Sequence, residues 1–155
     1  MSRAFVKEQD GSEVEQDLPE LVVSPHRNLV TPAGLEQIEG ELRRLRDALT
    51  QARADDDRSA VARHSRDLRY WKQRRASAEV VPSPADLDVV RFGSTVVLQS
   101  PGREASTFRI VGEDEAAPAE GRISYVSPLA RSLLGQRVGE TVEFGGTDAE
   151  IVEIR

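Results

Sequence analysis

Three consecutive carboxylates, Asp55-Asp56-Asp57, are the residues of this chain most capable of chemistry. Adjacent acids repel one another, and a packed core would raise the cost of ionising them, so they belong in solvent or beside a cation. Two readings follow. The run is either a solvated turn whose last acid complements the start of a helix, or a carboxylate device presented to a partner. The returning segment supplies the opposite charge through Arg58, Arg63, Arg66, Arg69, Lys72, Arg74 and Arg75. Arg66, Arg69, Lys72, Arg74 and Arg75 are the side chains that could lie near phosphates held by another molecule. The lack of cysteine excludes thiolate catalysis and thiolate zinc sites, and with only His26 and His64 as nitrogen ligands no metal cage is expected.

The acids sit between two amphipathic segments. Leu35, Ile38, Leu42, Leu45 and Leu49 recur at alternating steps of three and four, which is the stripe one helix needs to pack along another. Val61, His64, Leu68, Trp71, Arg75 and Ala78 keep the same step after the turn. Thr31-Pro32 starts the first helix, with a hydroxyl to cap free amides and a proline whose missing N–H costs nothing there. The spacing predicts helices from Pro32 to about Arg53 and from about Asp57 to Ala78, so the chain reverses at the aspartates. Tyr70 and Trp71 are read as packing residues rather than as a base-stacking platform.

Four segments follow from the patterning. Residues 1–30 mix acids with Gly11, Ser12, Pro19 and Pro25 and read as a flexible acidic tail, in which Leu18-Pro19-Glu20-Leu21-Val22-Val23 could pack on the body or bind a partner. Residues 31–80 form the helical hairpin, and 81–87, with Pro82 and Pro84, a linker. From residue 88 to 155 the period falls to two. Strands are expected at Ser94 to Gln99, Thr107 to Val111, Arg122 to Val126, Thr141 to Phe144 and Glu150 to Ile154. Ser127-Pro128 should start one short helix that Gly135 closes. The predicted class is α+β: an antiparallel helical hairpin of coiled-coil type, then a small antiparallel β-domain with one short helix.

The net charge of -6 hides an asymmetry: residues 1–30 carry -3, residues 31–79 carry +2 and residues 80–155 carry -5. An acidic protein with one basic segment is a poor general DNA binder. No apolar run approaches the roughly 20 residues of a membrane span, and no signal peptide is visible, so no membrane partner is expected. The lack of cysteine fits a reducing cytoplasm, and a monomer is expected.

The second domain resembles the bacterial Gre transcript-cleavage factors, the GreA and GreB group. The resemblance is carried by Phe92-Gly93-Ser94, by Phe108-Arg109-Ile110-Val111-Gly112-Glu113-Asp114-Glu115-Ala116, by Ile123-Ser124, by Ser127-Pro128-Leu129-Ala130-Arg131-Ser132-Leu133-Leu134-Gly135 and by Val138-Gly139-Glu140. Thr31-Pro32-Ala33-Gly34-Leu35, Arg69-Tyr70 and Ala78-Glu79-Val80-Val81 extend it to the base of the hairpin. The resemblance implies a globular domain with a fold similar to FK506-binding proteins, docked on RNA polymerase at the rim of its secondary channel, and a coiled-coil arm that enters the channel. It places Asp114, Glu115, Ser127, Pro128, Leu129 and Arg131 near the docking surface. It also implies that tip acids, here Asp55, Asp56 and Asp57, help hold a Mg²⁺ jointly with the polymerase, close to RNA or DNA inside the transcription complex.

The tip departs from the family pattern. The family reads approximately D-[LR]-[KS]-E-N-A-[ED]-Y, whereas Asp57-Arg58-Ser59 is followed here by Ala60-Val61-Ala62, without the glutamate and asparagine. Each helix is also about ten residues shorter, roughly 15 Å of reach at ~1.5 Å per residue. The first expectation is therefore a Gre-like protein that binds RNA polymerase and regulates elongation without being an enzyme; the resemblance implies no catalytic residues and no cofactor of its own. The alternatives are an active transcript-cleavage cofactor and a competitor or inhibitor of other secondary-channel factors. Proline isomerisation is not expected, because fold does not carry function and Phe92, Phe108, Tyr125 and Phe144 are too few aromatics for a proline pocket.

Overall fold

A computed structural model describes residues 18–155. The tail expected over residues 1–17 lies outside the described residues. The chain divides into two compact units: residues 18–24 with Gly40–Gln73, and Pro25–Glu39 with Arg74–Arg155.

Two helices make up most of the first unit. Helix α1 runs Pro32–Ala54 and α2 runs Arg58–Ser77, within one residue of the expected bounds. Leu42, Leu45, Leu49 and Ala52 on α1 are buried, as are Ala60 and Leu68 on α2. The α1 stripe is the one expected. On α2 the stripe begins at Ala60 rather than Val61, where a methyl side chain next to the turn admits close approach, and it ends on Arg74. Arg75, read as a stripe residue, is exposed. Tyr70 and Trp71 pack edge to face with centroids 5.3 Å apart.

The second unit is built on a five-stranded sheet of order β5-β4-β3-β7-β6. Its strands are β3 (Thr95–Gln99), β4 (Ser106–Val111), β5 (Arg122–Ser124), β6 (Thr141–Phe144) and β7 (Thr147–Ile154). Alternation sends Val96, Leu98, Ile110, Ile123, Val142, Ala149 and Ile151 to one face, where they form a core with Ala130 and Leu133 of α3 (Pro128–Leu133). The edge-to-face pairs Phe108–Phe144 and Phe92–Tyr125 flank that core. Ser127 Oγ accepts from the Ala130 N–H at 3.3 Å, and Gly135 follows the helix at φ 86°, so both ends of α3 are as expected.

The sheet corrects one expectation: it is mixed. β4 and β5 run parallel, with Ile110 opposite Ile123, because two 3₁₀ turns at Glu113–Glu115 and Pro118–Glu120 carry the chain back before β5 starts. A second correction concerns the start of the chain. Leu29–Val30 (β1) pairs in parallel with Glu79–Val80 (β2), and Asn28, Val30 and Thr31 are buried, so Pro25–Val30 belongs to the second unit and not to a tail. Two-residue strands leave no period in a sequence.

Candidate functional site

The three aspartates all serve the turn between α1 and α2. Asp55 follows the last residue of α1, and both its carboxylate oxygens accept from Gln51 Nε2 at 3.0 Å. Asp56 adopts φ 54°, the left-handed conformation that ends many helices and that aspartate tolerates better than most residues. The Asp57 N–H then reaches back to the Ala52 carbonyl (2.9 Å) and the Asp56 N–H to Arg53 (3.3 Å), which is the Schellman pattern. Asp57 also caps the next helix: its Oδ1 accepts from the Ala60 N–H at 2.9 Å. All three side chains are exposed. Among the described residues no group of three or more His, Asp or Glu side chains could hold a metal ion. The carboxylates are accordingly open to a partner yet form no metal cage by themselves.

The second constellation lies wholly inside the sheet-bearing unit, at the start of α1. Thr31 Oγ1 accepts from the Gly34 N–H at 3.0 Å, the cap anticipated from Thr31-Pro32. The buried Glu115 carboxylate accepts from the N–H groups of Thr31 (3.0 Å) and Gly112 (3.1 Å), and from the Thr31 hydroxyl. A Cβ on Gly34 would fall 2.1 Å from Glu115 Cδ, and one on Gly112 would fall 2.4 Å from the Leu29 carbonyl. Only glycine admits these approaches.

Arg74 completes that constellation. Its Nε donates to Asp114 Oδ2 at 2.6 Å and its Nη2 to Asn28 Oδ1 at 2.7 Å, with Glu113 Oε2 3.8 Å away. Asn28 Nδ2 in turn donates to the Arg74 carbonyl at 2.8 Å. The Arg74 side chain is 1% exposed and that of Asp114 9%. One sequence expectation is thereby corrected: Arg74 is buried and spoken for, so it is no phosphate ligand. The Glu115 and Asp114 carboxylates face inward to satisfy backbone donors and a guanidinium. Nothing in the local sequence reveals this, because Glu115 and Thr31 are 84 positions apart.

The remaining candidates stay at the surface. Pro128 and Arg131 on α3 are exposed, Ser127 is occupied as the cap, and Leu129 packs partly against the core. On α2, Arg69 pairs with Glu20 (2.5 Å) and Arg66 with Asp67 (2.7 Å), while Arg75 pairs with Glu39 (3.0 Å). Lys72 is exposed. Surface pairs of this kind are worth about 0–1 kcal/mol and can be exchanged for another anion. Sequence reasoning missed Asn28, which closes the Arg74 network from the far side of the sequence, and Arg27, which forks onto Glu79 at 2.5 Å.

Residues 84–155 match the family model described as "Transcription elongation factor, GreA/GreB, C-term". The chain is 35% identical to the transcription elongation factor GreA of Azorhizobium caulinodans over 150 residues, covering 81% of this chain and 96% of that one. It is likewise 35% identical to GreA of Rhodospirillum rubrum over 134 residues, covering 74% and 85%. Since 81% of 155 residues is fewer than 150, the Azorhizobium protein carries positions with no counterpart here. Among solved structures, the chain is similar to the prokaryotic transcription elongation factor GreA/GreB from Nitrosomonas europaea, with 24% identity, 81% and 97% coverage and a TM-score of 0.41. With a relative at this identity matched along nearly its whole length, the chain belongs to the GreA/GreB family of transcription elongation factors.

Proposed function

We propose that this protein is an elongation factor that binds RNA polymerase at the secondary channel through its sheet-bearing unit and regulates transcription there as a docking factor. The observation that carries the reading is the family match, which takes in 96% of a GreA. The 23 residues of α1 span about 34 Å at ~1.5 Å each. On the α3 segment, Pro128, Arg131 and Ser132 are exposed and so open to a polymerase. In this reading the protein has no active site of its own, and it competes with other factors for the channel.

A stalled elongation complex tests this directly. The protein should displace a labelled GreA from the complex, and it should leave the backtracked RNA at its original length. A second reading, in which Asp55, Asp56 and Asp57 help hold a Mg²⁺ jointly with the polymerase, draws on the exposure of all three carboxylates. It requires the RNA to shorten when the protein is added, and Asp55→Asn with Asp57→Asn to abolish the shortening while binding survives.

A further inference from the structure

Residues 18–24 share a unit with Gly40–Gln73, and one contact shows how they are held there. Glu20 takes a forked pair of hydrogen bonds from Arg69, with Nε at 3.0 Å and Nη2 at 2.5 Å from Oε1. The Arg69 hydrogen bond chiefly holds the Glu20 carboxyl below the usual carboxylate range; desolvation opposes it, and the charges of Arg69 and Arg66 add to it. Arg66, Arg69 and Lys72 follow one another at steps of three along α2 and so share a face. The apolar side chains around Glu20 are partly covered: Leu18 is 36% exposed and Leu21 39%, whereas Val22 is 89% exposed. A segment attached by an exposed ion pair and only partial apolar cover is reversible, and the charged part of its attachment is salt-sensitive. The sequence before it adds Glu8, Asp10, Glu13, Glu15 and Asp17 against Arg3 and Lys7.

We propose that the acidic N-terminal segment is an intramolecular competitor for the α2 face of Arg66, Arg69 and Lys72, occupying it through Glu20 until a single-stranded nucleic acid displaces it. The two ligands of that face are alike in chemistry, since a carboxylate run and a phosphate backbone both present closely spaced anions to guanidinium and ammonium groups. Arg66 also bonds Asp67 on its own helix, so the exchange falls mainly on Arg69 and Lys72. The device is separate from polymerase binding, and it acts in the free protein. Because the segment is tethered, it faces the site at high local concentration although each contact is weak. It lowers the apparent affinity for an outside polyanion by the fraction of time it is docked.

The chain contains no cysteine, so Val22→Cys gives a single attachment point for a nitroxide at an exposed position. At low salt the label should broaden the amide signals of residues 63–72, adding a single-stranded oligothymidylate should restore them, and Glu20→Gln should restore them with no ligand present. Glu20→Gln should also tighten oligothymidylate binding about two- to fivefold, and this gain should vanish in an Arg69→Gln background. General loss of one negative charge would tighten binding equally in both backgrounds. Broadening that is absent, broadening that survives in the presence of the oligonucleotide, or an equal gain in both backgrounds overturns the proposal.

Discussion

Asp57 ends one helix and starts the next, and that double duty has measurable consequences. Asp57→Ala removes the cap on the Ala60 N–H and should lower stability to chemical denaturation by about 0.5–2 kcal/mol. Asp56→Gly should be neutral or slightly stabilising, because φ 54° costs glycine nothing, whereas Asp56→Val should cost about 1–2 kcal/mol. At the other constellation, Arg74→Met leaves Asp114 and Asn28 facing an apolar side chain in the interior. Breaking a buried pair in this way costs about 3–5 kcal/mol, and in Asp114→Asn the second substitution should cost less. Thermal or urea unfolding of the two single variants and the double variant measures that coupling. At this scale the sequence was legible where partners are neighbours: Thr31-Pro32 and Ser127-Pro128 are caps as read. It was not legible for Glu115, Asp114 and Arg74, whose partners lie 84, 40 and 46 positions away.

The elements were legible to the extent that they carry a period. The leucine stripe of α1 and the alternation of β3, β4, β6 and β7 gave their places within a few residues. Period alone does not distinguish a parallel from an antiparallel neighbour, so the β4–β5 pairing escaped, and the two-residue strands β1 and β2 offer no period at all. Leu45 is fully buried on α1, and Leu45→Ala should cost about 2–5 kcal/mol in the hairpin. The β1–β2 pair is bordered by the Arg27–Glu79 bridge, in which the hydrogen bond from Arg27 chiefly holds the Glu79 carboxyl below its usual range. A depressed folded-state pKa gives a contribution that is present above the unfolded value and is lost as pH falls through the folded one. Hydrogen-exchange protection of the Glu79 and Val81 amides, which donate to Asn28 and Val30, should therefore fall as pH drops below the ordinary glutamate range. It should not change between neutral pH and pH 6.

For the molecule as a whole, family membership and the described chemistry point the same way. The sheet-bearing unit keeps the family's match over residues 84–155 and spends its central acids on internal bonds. The hairpin keeps two packed helices and spends its tip acids on a turn. None of the described helices is long and apolar enough to cross a membrane. Membership of the GreA/GreB family suits the protein to occupy a site on a larger machine, and among the described residues no group of three or more His, Asp or Glu side chains could hold a metal ion. The direct test is one competition titration on a backtracked RNA polymerase complex, following GreA occupancy and RNA length together. Loss of GreA from the complex with RNA of unchanged length is the predicted result. RNA shortened by this protein alone, or GreA left in place at saturating concentrations of it, would contradict the account.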